Sequence, residues 1–149
     1  MAFETKEMTD SPTGWVKEHI DRYVATNGED GHVWGNATAL LLTVIGRKSG
    51  QPRRTALFYG QDGDNYIVVA SKGGAPEDPE WYRNLAANPE VEVQVKADRF
   101  KAHARTATDA ERPALWKLMT AVWPPYDDYQ QKTNRKIPVV ILERGEAIT

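Results

Sequence analysis

Four cations fall within eight residues: Arg47, Lys48, Arg53 and Arg54, with Ser49, Gly50 and Pro52 among them. No carboxylate interrupts the stretch between Gly35 and Asp62. Gly46 and Gly50 let backbone N–H groups approach an oxyanion, and an arginine grips phosphate or carboxylate bidentately. The chemistry on offer is anion binding. Taken alone, the segment reads at least as well as a solvated hairpin turn. A second small basic loop, Ser71-Lys72-Gly73-Gly74, follows another strand candidate. If the two hairpins are neighbours, both loops open on one sheet edge and can hold an anionic tail between them. Aromatic residues are the third feature. Trp81-Tyr82 follows the second loop, and Trp116, Trp123, Tyr126 and Tyr129 gather towards the C-terminus. Tyr126 and Tyr129 are three apart, so a helical turn presents both on one side. Pro124 to Tyr129 is polar around its tyrosines, so these rings are expected to face a pocket or the surface. Trp116 is expected in the core.

The other catalytic toolkits are missing. Serine occurs only at 11, 49 and 71, with no Gly-x-Ser-x-Gly elbow. His19, His32 and His103 lack metal-ligand spacing and read as surface or packing histidines, so no metal is expected. No cysteine is present, which excludes a thiolate metal site and a Cys nucleophile. Neither a dinucleotide fingerprint nor a P-loop occurs. The formal net charge of −2 argues against a general nucleic-acid binder. No apolar run approaches the ~20 residues of a membrane-spanning helix. The N-terminal residues lack signal-peptide features, so a soluble cytoplasmic protein is expected.

The elements that must position these residues follow from periodicity. Residues 1–10 read as a loose leader, and 11–149 as a single domain. Ser11-Pro12 is a helix-start signal. Trp15, Val16, Ile20, Tyr23 and Val24 then give an amphipathic helix within 11–28, stopped by Asn27-Gly28. Strands are expected at 40–45, 53–59 and 66–70, with a hairpin at Asp62-Gly63. Asp78-Pro79 should cap a short helix carrying Trp81, Tyr82 and Leu85. Val91, Val93 and Val95 alternate with polar residues, and residues 100–105 return beside them. Thr108 and Glu111 form a capping box for a helix that Pro124-Pro125 ends. Residues 137–142 make the last strand. This is a mainly β, α+β protein: about six antiparallel strands in a closed or nearly closed barrel, with flanking helices outside.

Read in order, several blocks resemble one family. They are Leu41-Leu42-Thr43, Gly46 to Arg53, Val69 to Gly74, Pro79 to Leu85, and Asn88-Pro89. Together they resemble the deazaflavin (F420)-dependent nitroreductase family of actinobacteria over about Thr38 to Leu142. The resemblance implies a split β-barrel related to FMN-binding pyridoxamine-phosphate oxidases. It implies a reductase that passes hydride from reduced coenzyme F420 to quinones, enones and lactones, or nitroaromatics. It places Arg47, Lys48, Arg53 and Lys72 on the coenzyme's phosphate and oligoglutamate tail. Ser71, Gly73, Gly74 and Trp81 would lie along the deazaflavin ring, with Ala56 and Phe58 on the strand under it. Ser71, Tyr126 and Tyr129 are the implied catalytic residues. Trp123, Tyr126 and Tyr129 are the implied substrate pocket. The family's nitroreducing member has tyrosine where this chain has Trp123, which weakens the case for nitroimidazole reduction.

A polyanionic coenzyme explains why a net-acidic chain concentrates cations in two loops. A coenzyme that carries the hydride also explains why no nucleophile or metal set is found. Two alternatives stay open: an FMN-dependent oxidoreductase on the same barrel, and a non-catalytic F420 carrier. The expected partner is a small electron acceptor, and the chain is expected as a monomer or a homodimer. Trp15, Ile20 and Tyr23 leave open a weak contact with the inner membrane face, although packing on the barrel suits them better.

Overall fold

The computed structural model describes residues 9–10, 14–29, 32–34 and 37–148. The strands are β1 (Thr9–Asp10), β2 (Val33–Trp34), β3 (Ala37–Ile45), β4 (Pro52–Phe58), β5 (Gly60–Asp62), β6 (Asn65–Val69), β7 (Glu90–Val95), β8 (Asp98–Thr106) and β9 (Val139–Ala147). The helices are α1 (Gly14–Ala25), α2 (Glu80–Ala87), α3 (Arg112–Val122) and α4 (Pro125–Gln131), with a 3-10 turn at Lys72–Gly74. One sheet runs in the order β1-β4-β3-β7-β8-β9-β6-β5, and β2 pairs with β3. It curls until β4 comes back beside β6. There the Tyr59 and Tyr66 rings meet at 5.5 Å.

The sheet forms because its strands alternate or are apolar throughout. Leu40, Leu42 and Val44 of β3 point into one core with Val91, Val93, Phe100 and Leu142. Leu41, on the other face of β3, meets Ile20 and Tyr23 of α1. Strands β6 and β9 are buried on both faces. Val68 and Val140 join the first core, while Ile67, Val69, Val139 and Ile141 pack under α3 and α4. That double burial is why Ile67 to Val69 and Val139 to Leu142 read as unbroken apolar runs.

Tyr23 ties α1 to the sheet. Its hydroxyl donates to the Gln94 carbonyl at 3.3 Å and accepts from the Lys96 N–H at 2.5 Å. Burial pushes this phenol up to about 12. Ile20 and Tyr23 are both fully buried. Two of the residues that a membrane contact would use, Ile20 and Tyr23, are therefore packed on the sheet.

Several expectations need correction. More than six strands form, because short pieces at 9–10, 33–34 and 60–62 carry too little periodicity to register. Thr9 and Asp10, expected in the loose leader, pair with Arg53 and Arg54 in parallel, the one parallel pairing among the described strands. The Ser11-Pro12 start signal lies outside the described residues. Asp78 does not cap α2; Pro79 occupies that position without a side-chain hydrogen bond. The Thr108–Glu111 capping box does form. The Thr108 N–H donates to Glu111 Oε1 at 3.0 Å, and the Glu111 N–H donates to Thr108 Oγ1 at 3.3 Å.

Candidate functional site

The β3–β4 hairpin ends in the turn Arg47 to Gly50, and the cations of the sequence gather there. Gly46, Arg47, Lys48, Ser49 and Arg53 line a cavity of about 200 Å3 with Glu80 and Asn84 of α2. This is below the ~300 Å3 at which sites for drug-sized molecules begin. It suits one anionic group rather than a tricyclic ring. The space at Gly46 is tight: a Cβ there would stand 2.6 Å from Ser49 Oγ and 3.0 Å from Arg53 Nε. Arg53 and Lys48 are exposed and carry the free cationic surface of the turn.

Arg47 is held differently. Its Nη1 donates to Glu80 Oε2 at 2.8 Å and to Asn84 Oδ1 at 2.9 Å, and its backbone N–H donates to the same Asn84 oxygen at 3.1 Å. Asn84 is only 4% exposed, so its amide is a fixed anchor. The Arg47 hydrogen bond holds the Glu80 carboxyl below its usual range. Arg47 thus joins the basic turn to α2 as well as facing the cavity. Glu80 and Asn84 were not among the residues expected at the site. An asparagine beside Leu85 in a short helix is a weak signal, because asparagine favours turns over helix interiors.

The second loop sits where β6 gives way to α2. Lys72 adopts φ 47° and Gly74 φ 84°. Lys72 Nζ donates to Glu77 Oε1 at 3.2 Å. Gly74 is required by space as well as by conformation, since a Cβ would lie 2.6 Å from the Tyr129 carbonyl oxygen of α4. The segment after this loop leads into α2, whose first residue, Glu80, meets Arg47. Both basic loops therefore flank the start of α2.

The aromatic residues divide into two groups. The Phe58 and Trp123 rings meet at 4.7 Å with their planes tilted by 39°, and Trp123 Nε1 donates to the Tyr129 hydroxyl at 3.4 Å. These three rings are only partly buried. Tyr126 is 5% exposed and packs in the core under α3 with Leu115, Met119 and Ile137. The expectation that its ring faces a pocket or the surface is corrected. Asp127 and Asp128 are exposed while Tyr126 turns inward, so neighbouring polarity did not report its burial. Burial keeps the Tyr126 phenol well above the ordinary range, and it makes no hydrogen bond among the described residues. Trp116, expected in the core, is half-buried and packs against it, with Nε1 donating to Asp127 Oδ1 at 2.7 Å.

The remaining predicted residues are spread. Trp81 is half-buried against the first core beside Tyr82. Ala56 packs against the Ile20, Tyr23 and Leu41 cluster under α1, away from the cavity lining. His32 Nε2 lies 2.7 Å from the Tyr59 hydroxyl, and His103 Nδ1 lies 2.8 Å from Glu90 Oε1 on the surface. Both fit the packing and surface roles expected of them.

A curled antiparallel sheet with helices outside thus carries a cationic turn and a glycine-bearing loop. Residues 15–144 match the family model described as F420H(2)-dependent quinone reductase. An F420H(2)-dependent quinone reductase of Mycobacterium tuberculosis is 45% identical over 143 residues, covering 87% of this chain and 96% of the relative. A solved F420-H2 dependent reductase is 43% identical with a TM-score of 0.66, covering 70% of this chain and 93% of that one. A further solved chain, described as a domain-swapped dimer, is 41% identical with a TM-score of 0.69, covering 89% and 100%. A pyridoxamine 5'-phosphate oxidase-like structure from Listeria innocua shares the fold alone, at 12% identity and a TM-score of 0.54, covering 86% and 94%. This chain belongs to the F420H(2)-dependent quinone reductase family.

Proposed function

We propose that this chain is a cytoplasmic reductase that uses F420H2 to reduce a quinone. The observation that carries the reading is the cationic cavity formed by Gly46, Lys48, Ser49 and Arg53. Its donor set suits an oligoanion: cationic side chains and a hydroxyl, with the Glu80 carboxylate of the lining engaged by Arg47. The residues fit the anionic part of the coenzyme. Lys48 and Arg53 would hold phosphate or tail carboxylate there. When bound, reduced F420 supplies the hydride.

The chain's own residues bind, orient and exclude water. Arg47, engaged by Glu80 and Asn84, fixes the turn against α2. The Ser71 to Gly74 loop would lie along the ring. Phe58, Trp123 and Tyr129 form an aromatic wall suited to a flat acceptor. Tyr129 accepts a hydrogen bond from Trp123, which leaves its own O–H free to donate to an acceptor carbonyl. Reduction of a quinone leaves an oxyanion that must be stabilised and protonated, and Tyr129 would serve in that role. Tyr126 instead supports the wall from the core.

The test is anaerobic oxidation of F420H2 by the purified protein, against menaquinone-type, enone and nitroaromatic acceptors. Quinone-dependent turnover is expected, with weaker activity on nitroaromatics. Binding of F420 without turnover on any acceptor would identify a carrier instead. A tightly held yellow FMN would identify the other alternative.

A further inference from the structure

No sequence motif points to Arg135, yet four hydrogen bonds from its guanidinium converge on one short segment. Nε donates to the Ala75 carbonyl at 2.8 Å. Nη1 donates to the Ala70 carbonyl at 3.2 Å and to Asp78 Oδ1 at 3.0 Å. Nη2 donates to the Ser71 carbonyl at 2.7 Å. The side chain is only 14% exposed. It grips both the entry and the exit of the turn that carries Lys72, Gly73 and Gly74.

Arg135 is itself held. Its N–H donates to Thr133 Oγ1 at 3.2 Å, and its carbonyl accepts from Gln130 Nε2 at 2.8 Å. The turn it clamps needs a clamp. Two adjacent glycines give it wide conformational freedom, and Lys72 sits at a positive φ that a non-glycine residue holds only when its surroundings impose it. The planar fork of arginine reaches several carbonyls at once, which a lysine ammonium cannot reproduce. The connection then continues. Asp78 precedes Pro79 and α2, and α2 carries Glu80 and Asn84, which hold Arg47.

We infer that Arg135 is a positioning residue for the coenzyme, fixing the Ser71 to Gly74 turn and, through Asp78, its spacing from the basic turn. The inference rests on the reading that both turns meet F420. Arg135 acts through main-chain carbonyls and Asp78, and is not one of the residues lining the cationic cavity.

The test uses the full chain and three variants: Arg135→Lys, Asp78→Asn and Lys72→Ala. It reads F420 affinity by fluorescence titration, amide exchange over 71–75, thermal midpoint, and kcat and KM for a quinone. Arg135→Lys is expected to weaken F420 binding about tenfold and to speed exchange over 71–75, with quinone KM nearly unchanged. Asp78→Asn removes one charged partner and is expected to weaken binding about two- to threefold. Because Asp78 is partly exposed, this variant decides the matter if Arg135→Lys does not fold. Unchanged F420 affinity in both variants, with a lower thermal midpoint or faster exchange, would reduce Arg135 to a structural staple. If Lys72→Ala also binds F420 as the parent does, the turn does not meet the coenzyme, and the reading beneath the inference fails with it.

Discussion

The basic turn and the C-terminal aromatic segment are both short, polar in sequence and close to α2 or the loop before it. One residue of each, Lys48 in the turn and Tyr126 in the segment, shows the difference in exposure. At the turn, Lys48 and Arg53 stay exposed and enclose a cavity with Ser49 and Gly46. In the aromatic segment, Tyr126 sinks into the core although Asp127 and Asp128 follow it directly. Four cations within eight residues have no cheap way to be buried, because each needs a partner. A tyrosine followed by carboxylates has one, because a helix separates adjacent residues onto different faces. Clustered charge reports a surface, whereas charge next to an aromatic ring reports only one side of a helix.

Substitutions sharpen that contrast. The largest effect is expected at Tyr126. Tyr126→Ala leaves a cavity among Leu115, Met119 and Ile137 and should cost ~3–5 kcal/mol in urea unfolding. Lys48→Ala should stay within ~0.5 kcal/mol in the same assay. If the two variants unfold alike, the contrast is broken.

The order reverses for coenzyme affinity. Lys48→Ala or Arg53→Ala should each weaken F420 binding by ~1.5–3 kcal/mol, the value of a lost charge-assisted hydrogen bond. Tyr126→Phe should leave both affinity and turnover nearly unchanged. Tyr129→Phe, which removes the hydroxyl that Trp123 contacts, should lower kcat on a quinone by about tenfold at constant coenzyme affinity. A loss confined to Tyr126→Phe would return the catalytic role to the buried ring.

The smallest effect concerns acid stability away from both regions. Hydrogen bonds from Arg105, then from the Thr108 N–H, hold the Glu111 carboxyl down at about 2. A carboxyl lowered on folding stabilises the native state above its ordinary value, and that contribution fades as pH falls towards the folded value. Glu111→Gln should therefore flatten the stability profile between pH ~4.5 and about 2 while leaving F420 affinity alone. An unchanged acid limb would show that this surface network contributes nothing measurable.

Much of this was legible in the sequence. Val91, Val93 and Val95 alternate, and the strand forms with Val91 and Val93 buried. Thr108 and Glu111 carry a capping signal that the backbone obeys. The gathering of cations in the turn after Gly46 was legible because their types and spacing are local. Asn84, Glu80 and Arg135 were not legible, because their partners lie up to 65 positions away in sequence. Asp78 looked like a cap and instead receives Arg135, a choice that only the tertiary fold can make. Ala56 shows the same limit: its place under α1 depends on how the helix lies across the sheet.

The central claim is that the cationic turn holds the anionic part of F420. The most direct measurement is F420 affinity against salt concentration, for the parent chain and for a Lys48→Ala/Arg53→Ala double variant. The account predicts that parent affinity falls steadily as salt rises, because exposed charges are screened over ~10 Å at 0.1 M. It predicts that the double variant binds at least tenfold more weakly at low salt and with a flatter salt dependence. Equal affinities and equal salt slopes in the two proteins would contradict it.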